Sequence, residues 1–265
     1  MTETAVETVI AALPLAKRFV LFIDYDGTLS PIVPEPSKAY LSREGNAVLT
    51  NLCSRCPTTI VTGRSLQTIT NFLDLSGGLP DSLGLATSHG MQIDLPASFP
   101  LAADCVRSLT VGEEYTEQLA DLKRLLEKQS DLPHGCVLED NRFCVSLHYR
   151  HVEPADRPAL ETFLMKLLLD FPYVRLCKGK LVYELRVKVE WHKGAAVDWI
   201  LDRIPFECSP IYIGDDITDE DGFNAVNRRN GFSVFVGSQQ ERQTCANFSL
   251  PHPDAVINFL HRLCC

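Results

Sequence analysis

The sequence predicts an α/β protein built on a doubly wound parallel sheet, into which a smaller α+β module is inserted. In its opening and closing thirds, short apolar strands alternate with helices, and this order is typical of a parallel sheet covered by helices on both faces. The middle third instead places two short strands after each helix. We therefore expect a core made of residues 1–110 and 189–265, with the α+β module at residues 111–188.

The opening third begins with a predicted strand at Phe19–Ile23, where five apolar residues in a row indicate burial on both faces. A helix is expected over Ser42–Leu52, and a strand follows at Thr58–Val61. The next helix begins near Ser65, a residue type that often caps helices. A further apolar strand lies near Leu83–Ala86.

The closing third resumes the alternation of helix and strand. Its predicted elements are, in order, a helix over Gly194–Leu201, a strand at Pro210–Ile213, a helix over Glu220–Asn227, a strand at Phe232–Val236 and a helix over Asp254–Leu263. Pro253 lies in the first turn of the last helix, where its missing N–H group is tolerated.

The middle third carries two helical stripes and two alternating strands. The stripes consist of Tyr115, Leu119, Leu122, Leu125 and Leu126, and of Leu160, Phe163, Leu164, Leu167 and Leu168. In the strands at Phe143–Arg150 and Leu181–Lys188, apolar and polar residues alternate, so each set occupies its own face. The module should therefore have αββαββ order, with its helices on one face of the sheet. The polar face either meets water or lies over the core.

Composition argues against several classes of partner. The 265 residues carry a net charge of −9, which disfavours nucleic acid and anionic membranes. No apolar stretch is long enough to cross a bilayer, and residues 1–22 lack a signal-peptide pattern. We expect a cytoplasmic monomer whose ten cysteines are reduced thiols. The lone pair Cys53 and Cys56 has no second pair at zinc-finger spacing.

Two aspartates, Asp24 and Asp26, end the first strand, and Gly27 then allows a tight turn. The carboxyl ends of parallel strands are where open α/β sheets bind ligands. Two carboxylates this close repel each other unless a cation or a shared proton relieves them. The pair indicates a metal site, a nucleophile with an acid/base partner, or both, although taken alone it also fits an acidic turn.

Three later segments favour the chemical interpretation. Thr62, followed by Gly63 and Arg64, ends the second strand, Lys193 stands just before a helix, and the acidic run Asp215–Asp221 ends an apolar strand. With the first two aspartates they supply a nucleophile, an acid/base, a hydroxyl donor, a cation and metal-binding acids. These are the groups required for phosphoryl transfer through an aspartyl intermediate.

This ordered set resembles the haloacid dehalogenase (HAD) superfamily of phosphohydrolases, and the similarity extends to the trehalose-6-phosphate phosphatases. The segments that carry the resemblance are Phe22–Val33, Val61–Arg64, Ser88–Gly90, Leu138–Arg150, Tyr183–Arg186, Trp191–Gly194 and Tyr212–Asp221. The resemblance implies a HAD-like core with the α+β module inserted as a cap. The sequence departs from the family's pattern at Thr87, Val187 and His192, none of which is a catalytic group.

The resemblance also implies a role for each core residue. Mg²⁺ would be held by the Asp24 carboxylate, the Asp26 backbone carbonyl and Asp215, with Asp219 nearby or acting through water. Asp24 would be the nucleophile, and Asp26 would act as acid and then as base. Thr62 would donate a hydrogen bond to the phosphoryl oxygens, and Lys193 would supply fixed positive charge beside them.

Sugar recognition is implied for the cap. By similarity, the ligands of the sugar hydroxyls are Glu139, Asn141 and Glu184. The residues that either assist these ligands or hold the cap sheet together are His148, Arg150 and Arg186. The resemblance implies further substrate contacts in the core from Gly63, Arg64 and His89. The implied activity is Mg²⁺-dependent hydrolysis of trehalose 6-phosphate.

Two other functions are compatible with the sequence. One is the same chemistry on another sugar phosphate, such as sucrose phosphate or a glycosyl phosphoglycerate, which would differ only at the polar face of the cap. The other is a non-catalytic domain that senses a sugar phosphate. Such domains usually lose the nucleophile, the lysine or a metal ligand, and this chain has all three. A trehalose-phosphate synthase is a candidate partner.

Overall fold

The computed structural model describes residues 2–14, 18–73, 80, 82–129, 132–179, 181–238 and 242–264. The chain divides into two compact units, of which one comprises Met1–Leu109 and Trp191–Cys265 and the other Thr110–Glu190. We call the first unit the core and the second the cap. Within the described ranges, none of the helices has the length and hydropathy needed to span a membrane.

The elements are numbered in chain order. The helices are α1 (Thr2–Ala12), α2 (Arg43–Cys53), α3 (Leu66–Phe72), α4 (Thr116–Glu127), α5 (Arg157–Leu167), α6 (Lys193–Leu201), α7 (Glu220–Asn227) and α8 (Pro253–Leu263). The strands are β1 (Arg18–Ile23), β2 (Thr58–Val61), β3 (Leu83–Thr87), β4 (Gln92–Asp94), β5 (Ser108–Thr110), β6 (Val137–Asp140), β7 (Cys144–His148), β8 (Val174–Gly179), β9 (Val182–Val187), β10 (Cys208–Gly214), β11 (Phe232–Val236) and β12 (Phe248–Leu250).

The larger sheet has eight strands in the order β12-β11-β10-β1-β2-β3-β4-β5. From β12 to β3 every neighbouring pair is parallel, whereas β4 runs antiparallel to β3. Because β1 lies between β10 and β2, the chain builds the sheet outward in both directions from its first strand. The carboxyl ends of β10, β1, β2 and β3 therefore meet along one edge of the sheet, where such folds bind ligands.

Side chains of β1 alternate between two apolar clusters. Leu21 and Ile23 pack in a cluster that includes residues of α1, α2, α3 and α8, whereas Val20 and Phe22 pack in a cluster that includes residues of α6 and α7. All four side chains are fully buried. Burial on both faces explains why this strand is apolar without interruption, and it confirms the predicted doubly wound α/β fold.

The cap contains an antiparallel sheet in the order β6-β7-β9-β8. Its elements follow one another as α4, β6, β7, α5, β8 and β9, which is the αββαββ order predicted from the sequence. Val145 and Leu147 of β7 and Leu185 of β9 are buried, as are Leu122 of α4 and Leu164 of α5. The apolar half of each alternating strand thus belongs to the interior of the cap.

Side-chain caps fix where several helices begin. Ser42 Oγ accepts a hydrogen bond from the Gly45 backbone N–H at 3.0 Å before α2, and Ser65 stands in the same position before α3. His192 Nδ1 accepts from the Ala195 N–H at 3.2 Å and so caps α6. His192, one of the positions at which the sequence departs from the pattern it resembles, therefore caps the helix that begins with Lys193.

Candidate active site

Four predicted site segments follow four adjacent strands of the core sheet. Asp24 follows β1, Thr62 follows β2, Ser88 follows β3, and Asp215 follows β10. The Asp24 backbone N–H donates to the Ile213 carbonyl oxygen at 2.9 Å, which ties the end of β1 to its neighbour β10. Residues that are far apart in the chain are therefore gathered by strand order alone.

The central feature is a cluster of three carboxylates, of which those of Asp24 and Asp219 are buried and that of Asp215 is half-buried. Asp24, Asp215 and Asp219 each place one carboxylate oxygen within 4.8 Å of the others. The ammonium group of Lys193 donates to Asp24 Oδ1 and to Asp219 Oδ1, in each case at 2.8 Å. Lys193 is only 3% exposed. One ammonium group against three carboxylates leaves excess negative charge in a buried place, which favours binding of a cation.

The pKa values reflect this excess of negative charge. Burial raises the pKa of Asp24 well above its ordinary value, although the nearby Lys193 opposes the shift. Burial, together with the charge on Asp219, raises the pKa of Asp215 to about 7. Burial alone would lower the pKa of Lys193, but the carboxylates of Asp219 and Asp24 outweigh it, so the pKa is raised. Lys193 is therefore charged at neutral pH, while protons compete with a bound cation for the carboxylates of Asp24 and Asp215.

The oxygen atoms of this cluster suit Mg²⁺. Asp215 Oδ1 is buried and has no hydrogen-bond partner among the described residues, and Mg²⁺ prefers such hard carboxylate oxygens. Asp219 is engaged at both oxygens, since Oδ1 accepts from Lys193 and Tyr212 and Oδ2 accepts from the Asp216 backbone N–H. Asp24 and Asp215 are thus better placed as direct ligands, and Asp219 is better placed to orient Lys193.

Gly27 makes room for the Asp215 carboxylate. Its backbone has φ +82°, a left-handed conformation that glycine adopts without strain. A Cβ atom at this position would collide with the carboxylate of Asp215. The glycine that the sequence indicated for a tight turn therefore also permits the close approach of the acids from β1 and β10.

Arg64 forms a two-pronged ion pair with Asp26. Arg64 Nε donates to Asp26 Oδ2 at 2.7 Å and Nη2 donates to Oδ1 at 2.5 Å, while the guanidinium lies 4.4 Å from the ring centroid of Phe72. The Arg64 side chain is 10% exposed, against 39% for Asp26. The resemblance implied a substrate contact for Arg64, and the structure places this side chain on Asp26, for which the resemblance implied an acid/base role. A bidentate pair of this kind fixes the plane of the carboxylate.

The loops after β2 and β3 are bonded to each other through their backbones. Thr62 Oγ1 accepts from the Arg64 backbone N–H at 3.1 Å, and the Thr62 carbonyl accepts from the His89 N–H at 2.8 Å. Ser88 and His89 both have left-handed backbones, with φ of 50° and 59°, a strained conformation that often occurs at functional sites. The His89 ring lies directly against Gly63. The two predicted substrate contacts Gly63 and His89 are thus neighbours in space.

Within the cap, polar residues form a row across the sheet. Ser146 of β7 pairs with Glu139 of β6 on one side and with Glu184 of β9 on the other. Residues paired across antiparallel strands point to the same face, so the two glutamates flank one serine hydroxyl. The predicted polar face of the cap therefore carries two carboxylates in one line.

The other predicted sugar contacts support this row. The side-chain pairs are His148 with Glu139 (2.9 Å between Nε2 and Oε2), Arg186 with Glu184, and Asn141 with Ser146 (Nδ2 to Oγ, 3.1 Å). Arg150 lies in the turn beyond β7, and its carbonyl accepts from Arg157 Nη2 at 3.5 Å. His148 and Arg186 thus each contact one of the two glutamates.

Two residues of these arrangements were not singled out from the sequence. Tyr212 lies in a strand that the sequence predicts as apolar, and the signal for its role is that a phenol in a buried strand must find a hydrogen-bond partner. Ser146 lies on the polar face of β7 because it alternates with Val145 and Leu147. Its position between two acids depends on strand register, which the sequence did not provide.

A solved phosphatase of the HAD enzyme superfamily, BT1666 from Bacteroides thetaiotaomicron, shares this fold, with a TM-score of 0.57, 15% identity and coverage of 93% of this chain and 95% of that one. The sequence model of the trehalose-phosphatase family matches residues 22–254 of this chain. The chain belongs to the trehalose-phosphatase family.

Individual relatives agree with this assignment. The chain is 36% identical over 254 residues to trehalose-phosphate phosphatase B of Arabidopsis thaliana, covering 93% of this chain and 66% of that protein. It is 38% identical over 260 residues to probable trehalose-phosphate phosphatase 4 of Oryza sativa subsp. japonica, covering 96% and 68%. The chain thus spans about two thirds of the length of these relatives. The crystal structure of a trehalose-6-phosphate phosphatase related protein shares the fold, with a TM-score of 0.77, 23% identity and coverage of 92% of this chain and 96% of that one.

Proposed function

We propose that this chain is a Mg²⁺-dependent trehalose-6-phosphate phosphatase that works through a phosphorylated Asp24. The observation that carries the proposal is the buried contact of Lys193 Nζ with Asp24 Oδ1 at 2.8 Å, inside a cluster of further acids. It puts a carboxylate nucleophile beside a fixed positive charge at the ligand-binding end of the sheet. Membership of the trehalose-phosphatase family supports the substrate.

The proposed reaction has two halves, both served by Asp26. In the first, an oxygen of Asp24 bonds to phosphorus, the bond from phosphorus to the sugar oxygen breaks, and Asp26 gives a proton to that departing oxygen. In the second, Asp26 takes a proton from water, the water oxygen bonds to phosphorus, and the bond to Asp24 breaks to release phosphate. The bidentate contact from Arg64 holds the Asp26 carboxylate in one orientation.

Charge on the transferring group would be offset by groups of the chain. Lys193 supplies fixed positive charge, and the Thr62 hydroxyl donates a hydrogen bond to a phosphoryl oxygen. Mg²⁺, held by Asp24, the Asp26 carbonyl and Asp215, supplies further charge neutralisation when bound. Sugar hydroxyls would be bound by the glutamates of the cap row, because carboxylates accept several hydrogen bonds at fixed angles.

The substrate also suggests a partner and a compartment for this protein. Trehalose 6-phosphate has to be supplied by an enzyme that joins two glucose units and leaves one phosphate in place, so we propose a trehalose-phosphate synthase as partner. The cysteines within the described ranges are free. Free thiols fit a reducing compartment, in keeping with the cytoplasmic location expected from the sequence.

Phosphate release from a panel of substrates tests the proposed function. The panel contains trehalose 6-phosphate, sucrose 6-phosphate, glucose 6-phosphate and p-nitrophenyl phosphate, each with Mg²⁺. Strong preference for trehalose 6-phosphate is expected. Preference for another sugar phosphate would keep the chemistry and overturn the substrate. Tight binding of trehalose 6-phosphate without turnover of any compound would favour the sensor instead.

Replacing Glu139 with Gln should weaken sugar recognition without harming the chemistry. The variant is isosteric and can still contact His148, but it loses a charged acceptor for a hydroxyl group. We therefore expect KM for trehalose 6-phosphate to rise about tenfold. Values of kcat/KM for p-nitrophenyl phosphate should not change. Glu161→Gln is the matched control, because Glu161 contacts Lys178 and Tyr183 in the cap and has no proposed role with the sugar. Equal KM values in Glu139→Gln and Glu161→Gln would contradict the assignment.

Binding of Mg²⁺ should weaken at low pH. Because the pKa of Asp215 is about 7 without a cation, a proton competes with the metal, and the apparent affinity should fall about tenfold between pH 8 and pH 6. Isothermal titration with MgCl₂ at both pH values measures the change, and proton release on binding should accompany it. Asp215→Asn should weaken binding at pH 8 and should leave only the part of the pH dependence and proton release that Asp24 contributes. An affinity that is equal at pH 6 and pH 8 would show that Asp215 does not release a proton to the metal.

A further inference from the structure

Tyr212 lies in the middle of the core sheet, two residues before Gly214 and three before Asp215. It belongs to β10, and its side chain is fully buried in the apolar cluster that contains residues of α6 and α7. A phenol in such a place would be costly to bury unless its hydroxyl had a partner.

The hydroxyl of Tyr212 belongs to a buried chain of contacts that ends at the proposed nucleophile. Tyr212 Oη donates to Asp219 Oδ1 at 2.7 Å. The same oxygen accepts from Lys193 Nζ at 2.8 Å, and Lys193 in turn donates to Asp24 Oδ1 at 2.8 Å. All four residues are at most 4% exposed. Two donors on one carboxylate oxygen, with the Asp216 N–H on the other at 3.0 Å, leave Asp219 little freedom to rotate.

Packing fixes the position of the Tyr212 ring. The ring meets Phe223 edge to face, with 5.6 Å between centroids and an interplanar angle of 87°. Gly222 also lies against the Tyr212 ring, because a Cβ atom at this glycine would collide with the ring. The packing of the ring therefore holds the hydroxyl group against the carboxylate of Asp219.

We propose that Tyr212 is a positioning residue for phosphoryl transfer, which holds Asp219 so that this carboxylate presents Lys193 to Asp24. The proposal rests on the proposed phosphatase function, but it concerns the chemical step and not the sugar. Tyr212 acts only through Asp219 and Lys193. Phenylalanine at this position would keep the packing against Phe223 and remove one of the three donors that hold Asp219.

The test is Tyr212→Phe, measured with trehalose 6-phosphate and with p-nitrophenyl phosphate. We expect kcat to fall about tenfold on both substrates, the loss expected when a hydrogen bond to a charged group is removed. KM for trehalose 6-phosphate should stay within twofold, because the sugar contacts are untouched. The matched control is Tyr183→Phe, which removes a tyrosine hydroxyl from Glu161 Oε2 at 3.0 Å in the cap, and its kcat should not change.

Each outcome supports or overturns the proposal. Thermal melting gives the folded fraction, and a fall in kcat that only matches a loss of folded protein would mean that Tyr212 is merely structural. A kcat equal to that of the wild type would also overturn it. If the wild-type protein hydrolyses p-nitrophenyl phosphate but no sugar phosphate, the proposed substrate fails, and the aryl phosphate still decides the role of Tyr212. If it hydrolyses neither, both proposals fail.

Discussion

Asp24→Asn should lower phosphate release from trehalose 6-phosphate by about 10⁴-fold or more, because an amide cannot form the phosphorylated intermediate. The carboxylate that is lost is 4% exposed and contacts Lys193 at 2.8 Å, so the variant removes the proposed nucleophile from beside the fixed positive charge. Single-turnover reactions quenched in acid should show phosphate bound to the wild-type protein and none bound to the variant. Binding of the intact substrate should persist, and KM or a directly measured Kd would show it.

The control for this variant is Asp104→Asn, the same chemical change at an exposed loop of the core. Asp104 has a left-handed backbone at φ 65°, which asparagine also tolerates, so folding and activity should both be preserved. If Asp24→Asn kept more than a few per cent of wild-type kcat while remaining folded, Asp24 would not be the nucleophile. Labelled phosphate on another residue would point to the group that replaces it.

The parts of the fold that were predicted correctly are those with a strong local pattern. The bounds of β11 and α7 match the prediction residue for residue, because a run that is apolar except at Ser233 and a helical period are properties of the local sequence. By contrast, β4 and β12 were not predicted. Each is three residues long, too short to show a period, and β12 exists because β11 offers it an edge with which to pair.

A similar distinction applies to the candidate site. The identities and order of Asp24, Thr62, Lys193 and Asp215 were visible in the sequence because each lies at or near the end of a recognisable element. The contacts between these groups were not visible in the sequence. Arg64, for example, reaches Asp26 across 38 positions of the chain, and such contacts depend on strand order and side-chain direction. Short-range pattern therefore predicts which groups are present, and only the fold determines which group orients which.

Lys193→Met should combine a large loss of activity with a large loss of stability. Lys193 is the buried cation shared by Asp24 and Asp219, and removal of one partner from a buried ionic cluster typically lowers the free energy of unfolding by about 3–5 kcal/mol. The loss of fixed charge at the phosphoryl group should lower kcat by about 10³-fold. Lys178→Met is the control, since Lys178 forms an exposed pair with Glu161 and such pairs contribute at most about 1 kcal/mol.

The stability defect of Lys193→Met should also depend on pH and on Mg²⁺. Without the ammonium group, the pKa values of Asp24 and Asp215, already raised by burial, should rise further. A folded state that keeps protons which the unfolded state releases loses stability as pH increases above the ordinary carboxyl pKa. The gap in Tm between wild type and variant should therefore be wider at pH 8 than at pH 5, and added Mg²⁺ should narrow it at pH 8 by replacing the missing positive charge. A gap that is the same at both pH values and insensitive to Mg²⁺ would mean that Lys193 stabilises the core through packing, and that the three carboxylates do not depend on it for charge balance.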